Sequence, residues 1–118
     1  MSPESSPPQL EFAFRIIAEV DPELPIERRA DETLTIIPIT GGTVRGRING
    51  EVVPGGADWC LFRNDDAFEV EARYWFRTDA GDIVDVVNLG RIAPADDRHS
   101  SGIFMTTPQF RTTAPALQ

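Results

Sequence analysis

Asp58 stands beside Trp59 in the stretch Asp58-Trp59-Cys60-Leu61-Phe62-Arg63, where Leu61 and Phe62 predict at least one dry face. A carboxylate against such a face must be paired or must hold its proton more tightly than usual. Arg73, on the next long segment, carries a planar fork that would hold Asp58 bidentately. With Asp58 as general acid or base, and Arg73 clamping a carboxylate, enolate or phenolate oxygen, the pair would move a proton on a small ligand. A buried ion pair or two solvated charges would do no chemistry, and the two residue types alone do not separate these readings. Trp59, Tyr74 and Trp75 offer surface for a flat apolar ligand, with the Tyr74 hydroxyl as a donor, although Tyr74 also fits a core position. Asn88 interrupts the apolar run Ile83 to Leu89, as an orienting group or as a satisfied amide. His99, the one histidine, titrates near neutral pH and falls in a loop, where it serves as a ligand contact or as plain surface.

Other chemistries lack their residues. Gly41-Gly42 and Gly55-Gly56 both lie between strands, so neither opens a helix that could cradle a phosphate. One His and one Cys leave a structural zinc site short of its usual ligands, and no Ser or Cys sits on a strand-to-helix elbow. Neither a metal nor a cofactor is expected.

The elements that must position these groups are strands. Leu10, Phe12, Phe14, Ile16, Ala18 and Val20 recur at every second position, the period of a strand with one buried face. A polar loop with Pro22 and Pro25 follows. Leu34 to Ile39 is apolar and is broken by Gly41-Gly42, Thr43 to Ile48 forms a short strand, and Asn49-Gly50 predicts a two-residue hairpin turn returning into Val52-Val53. Pro54-Gly55-Gly56 makes a corner before Asp58 to Arg63. Phe68 to Arg77 alternates, with Val70, Ala72, Tyr74 and Phe76 on one face and Glu69, Glu71, Arg73, Trp75 and Arg77 on the other. Asp79 to Asp82 turns the chain into Ile83 to Leu89. A loop from Gly90 to Ser101 and a last strand, Gly102 to Thr107, come before Pro108. About eight short strands joined by turns, without a capped helical segment, predict an all-β fold, an antiparallel meandering barrel. The paired glycines are assigned to positive φ or bulges where a barrel bends.

Composition narrows the partners. The chain of 118 residues suits one domain, read as a disordered leader over 1–9 and a single β-barrel over 10–118. Eleven Lys and Arg against nineteen Asp and Glu give a net charge of -8, which repels a phosphate backbone, so no nucleic-acid partner is expected. Arg28, Arg29, Arg45 and Arg47 cluster in sequence but alternate with other types and read as solvated surface. With the lone Cys60, no internal disulfide forms, and a cytoplasmic home is the default. No stretch approaches the roughly 20 apolar residues of a membrane helix, and the Ser- and Pro-rich start lacks the basic and apolar parts of a signal peptide.

The segments Ile37-Pro38-Ile39-Thr40-Gly41-Gly42-Thr43, Pro54-Gly55-Gly56-Ala57-Asp58-Trp59 and Ala72-Arg73-Tyr74, in this order, resemble the family called domain of unknown function 3237. Thr106-Thr107-Pro108-Gln109-Phe110 looks like that family's closing element, so the resemblance runs from about Leu10 to about Arg111. It implies a calycin-like β-barrel with a central cavity, and it implies no reaction. It also implies a longer segment, often helical, where Arg91 to Gly102 stands here, and one or two further strands after the last one, so that the barrel of this chain is incomplete at its C-terminal side or completed by a neighbouring subunit. Three functions fit: a small-molecule-binding barrel for a small hydrophobic or aromatic ligand; a cofactor-free isomerase, cyclase or lyase using Asp58; or an oligomeric interaction protein. A homo-oligomer is expected because an unfinished barrel exposes an edge.

Overall fold

The computed structural model describes residues 11–63, 68–92 and 104–118. Among these described residues seven strands follow one another: β1 (Phe14–Val20), β2 (Leu24–Arg28), β3 (Glu32–Gly46), β4 (Gly50–Arg63), β5 (Phe68–Thr78), β6 (Ile83–Ile92) and β7 (Phe104–Thr112), with a 3-10 turn at Pro115–Leu117. They form one antiparallel sheet in the order β1-β3-β4-β5-β6-β7, and β2 pairs with the other half of β3. The sheet curls into a half-barrel. Its two edges meet through side chains, Phe14 of β1 against Phe110 of β7 at 5.6 Å between ring centroids, and no pairing joins β1 to β7 among the described residues.

Curling gives the sheet a buried concave face without any covering helix. Val44, Val52, Phe76, Val84 and Val86 are at most 4% exposed there, with Phe14, Ile16 and Ile48 packed against them. The alternation of β5 is kept as expected: Ala72, Tyr74, Phe76 and Thr78 are buried, whereas Glu69, Glu71, Arg73 and Arg77 are exposed. In β1 the alternation holds for Phe14 and Ile16 but lapses at Val20, half exposed, and Phe12 is 65% exposed ahead of the strand.

Several boundaries differ from expectation for identifiable reasons. The polar loop with two prolines contains β2; Pro25 pairs with Thr35 at a sheet edge, where a missing N–H costs nothing. Gly41-Gly42 and Pro54-Gly55-Gly56 do not end strands. They lie inside β3 and β4, where the mutual register shifts between Pro38 and Thr43 and between Val53 and Ala57, so they bend two long strands together. Gly42 and Gly55 take φ of +141° and +126°, and a Cβ on Gly42 would lie 2.0 Å from the Ile17 carbonyl oxygen. The turn at Asn49-Gly50 is wider than two residues: Arg47, Ile48 and Asn49 connect the strands, the Asn49 amide bridges both the N–H and the carbonyl of Gly46, and Gly50 already pairs with Val44. Pro108 sits within β7 rather than after it, again on an edge strand. The leader, its boundary at 9, and the loop holding His99 lie outside the described residues.

Candidate functional site

Register decides which face each candidate occupies. Asp58 pairs with Ala72, and Ala72 with Asn88, so these three stand side by side on the concave face. Tyr74 follows one step along β5 and Cys60 one step along β4, both buried on that face. Ala72 has the smallest side chain of the row, so little more than a methyl group stands between Asp58 and Asn88. Two interstrand spacings place the α-carbons of the flanking residues about 10 Å apart, enough for a planar molecule between their side chains.

The electrostatics mark this row. Burial pushes the Asp58 carboxyl above the ordinary carboxylate value. Burial, reinforced by the Asp58 charge, likewise raises the Tyr74 hydroxyl, which therefore stays a donor. The Cys60 thiol is pushed up to about 11, first by burial and then by the charges of Asp58 and Glu23. Asn88 Oδ1 is buried with no hydrogen-bond partner among the described residues, a state that costs about 1–3 kcal/mol unless something donates to it. Asp58 has no ion-pair partner among the described residues either.

Arg73 is not that partner. It pairs with Ala57 and Val87, one position out of step with Asp58, and so projects from the convex face. Successive residues of a strand point to opposite sides of a sheet, which forbids the clamp expected from sequence. Trp59 and Trp75 lie on the convex face too, opposite Glu71 and Val53 respectively. Trp75 covers the β4 bulge: a Cβ on Gly55 would come within 2.8 Å of its ring. Of the expected site residues that are described, the structure brings together Asp58, Tyr74 and Asn88. Sequence reasoning missed Cys60, Ala72 and Glu23; the two-residue step from Asp58 to Cys60 was the available signal. The cluster of four arginines is dispersed: Arg29 pairs with Glu27 at 2.7 Å, Arg47 with Glu11 at 2.8 Å, and Arg45 donates to the carbonyls of Val44 and Gly50. No group of three His, Cys, Asp or Glu side chains among the described residues is placed to hold a metal ion. No helix among them is long and apolar enough to cross a membrane.

Residues 8–118 match the model of a family described as protein of unknown function (DUF3237). This chain belongs to the DUF3237 family. It is 35% identical over 124 residues to the UPF0311 protein RPA1785 of Rhodopseudomonas palustris, covering 93% of this chain and 80% of that protein. The crystal structure of RPA1785, described as a conserved protein of unknown function, superposes with a TM-score of 0.79 over 95% of this chain and 83% of the other. A β-barrel-like protein from Acinetobacter baumannii shares the fold at 24% identity and a TM-score of 0.72, covering 93% of this chain and 80% of that one. So does a protein from Penicillium herquei described as an enzyme, at 21% identity and a TM-score of 0.76, covering 98% and 78%. The fold is thus shared with a protein described as β-barrel-like, and this chain forms a half-barrel with a polar row across its concave face.

Proposed function

We propose that this DUF3237 protein binds a small, flat, hydrophobic molecule on the concave face and that Asp58 exchanges a proton with it. The observation that carries this reading is the row Asp58, Ala72, Asn88. It holds a carboxyl with a raised pKa and a buried amide oxygen, both without partners among the described residues, on either side of the small Ala72 side chain. A carboxyl whose pKa is raised lies closer to working pH and makes a better acid or base. For a ketone, the Asp58 carboxylate would take a proton from the carbon beside the carbonyl. The enolate oxygen would accept a hydrogen bond from the Tyr74 hydroxyl, and the protonated Asp58 would return a proton to the same carbon or to another. Returned elsewhere, the proton completes an isomerisation, and no cofactor enters. The fold of the Penicillium herquei enzyme is compatible with this assignment.

The test uses 2-tetralone, a neutral aromatic ketone with exchangeable α-protons, in deuterated buffer. The protein is expected to speed loss of the α-proton signal, and Asp58→Asn to slow that exchange roughly 100-fold, the usual contribution of a positioned base. A fluorescent naphthyl ketone should bind Asp58→Asn nearly as well as the parent protein and should fail to bind Ala72→Phe, whose ring would stand between Asp58 and Asn88. Exchange equal in the parent, in Asp58→Asn and in buffer, with binding retained, leaves a carrier without chemistry. Binding that survives Ala72→Phe contradicts the site itself.

A further inference from the structure

The convex face holds what the concave site left out. Reading across the strands, one row runs Ile36, Trp59, Glu71, Leu89, Thr107 and the next runs Pro38, Ala57, Arg73, Val87, Gln109. Trp59 is 40% and Leu89 49% exposed, and with Leu34 and Leu61 they line a groove of about 600 Å³. Leu24, 55% exposed, extends the apolar surface onto β2, where it pairs with Ile36. An apolar area of this kind on the outer wall of a curled sheet marks an interaction surface. The charges around it are unspent: Glu71, Arg73, Asp85 and Arg91 belong to none of the ion pairs among the described residues.

We propose that this face is the dimer interface of the protein and that its occupant is the same face of a second copy. The register makes the face self-complementary. A two-fold axis lying in the interface, across the strands and between the two rows, sets Glu71 against the partner's Arg73 and Arg73 against the partner's Glu71. The same operation sets Arg91, one row beyond Glu71, against the partner's Asp85, one row beyond Arg73. It also sets Trp59 over the small Ala57 of the partner subunit and Leu89 over the partner's Val87, large residues against smaller ones. Each contact occurs twice, as an isologous interface requires. Two sheets packing face to face keep their strands within about 30° of each other, a rotation that long Glu and Arg side chains follow. The arrangement explains why Trp59 and Arg73 are conspicuous in the sequence and yet stand on the face opposite Asp58, and it leaves the concave faces of both copies open.

Sedimentation of the full chain over roughly 1 to 100 µM, the range in which reversible dimers of standard interface size form, tests this. The parent protein should sediment as a dimer. Glu71→Arg and Arg73→Glu, each of which places like charges together twice, should each raise the dissociation constant at least tenfold, and the double exchange Glu71→Arg/Arg73→Glu should restore it. Recovery in the double variant also shows that each single variant folds but repels itself. A parent protein that stays monomeric overturns the proposal and leaves the face to a different partner. A dimer indifferent to all three changes overturns it as well and moves the contact to the free edges of β1 or β7.

Discussion

Both faces of this sheet carry apolar side chains and use them differently. On the concave face Phe76 and Val44 are fully buried, and the polar groups that intrude, Asp58, Tyr74 and Cys60, have their proton affinities raised. On the convex face Trp59 and Leu89 are half exposed, and the charges of Glu71 and Arg73 stand in solvent. The difference teaches that in a half-barrel strand parity sets the surroundings of a side chain: one residue along β4 or β5 moves it from a desolvated inner face to an outer wall.

The comparison is sharpest in stability. Phe76→Ala removes a fully buried ring that also touches Phe14 at 6.2 Å between centroids, and should cost about 3–5 kcal/mol in urea unfolding. Leu89→Ala on the convex face should cost less than about 1 kcal/mol in the monomer. Equal costs would mean that both faces are covered in solution.

A second contrast is chemical. With its pKa near 11, the Cys60 thiol should alkylate with iodoacetamide at pH 8 about 100-fold more slowly in the folded protein than in urea. Because the Asp58 charge contributes to that value, Asp58→Asn should speed alkylation several-fold in the folded state, whereas Arg73→Gln on the far face should not. A thiol insensitive to Asp58 would separate the two groups that the concave site holds together.

The smallest expected effect is in the pH dependence of stability. Burial raises the folded-state pKa of Asp58 above its unfolded value, so the folded state binds the proton more tightly. Its contribution is fully present below the ordinary carboxylate pKa and is lost as pH rises through the raised value. Asp58→Asn should therefore unfold at a slightly higher temperature than the parent at neutral pH, by no more than a few degrees because the group is only partly buried, and the gap should close at acid pH. Calorimetry at both pH values checks the sign.

Much of the architecture was legible. Period-two alternation placed β5 and most of β1, the turn at Asp79 to Asp82 placed the start of β6, glycine pairs marked the bends, and the resemblance named the family to which the chain belongs. The pairing of Asp58 with Arg73 failed because alternation within β5 says nothing about its register with β4, and that register passes through the bulge at Pro54-Gly55-Gly56. Three residues of β4 stand there where β5 supplies one, so counting along the sequence could not say which face Asp58 shares with its neighbour. The Asn49-Gly50 turn misled for a related reason: Gly50 is needed for close approach to the Arg77 carbonyl, 2.1 Å from where its Cβ would stand, rather than for a positive φ. β2 escaped notice because its five residues are all exposed and Pro25 lies among them.

Chemical-shift mapping with the naphthyl ketone tests the assignment of the two faces most directly. Binding on the concave face predicts saturable shifts at the amides and side chains of Asp58, Cys60, Ala72, Tyr74 and Asn88, with Trp59, Arg73 and Leu89 unmoved. Shifts concentrated at Trp59, Leu61 and Leu89, with Ala72 and Asn88 silent, would place the ligand in the convex groove and contradict the role given to Asp58.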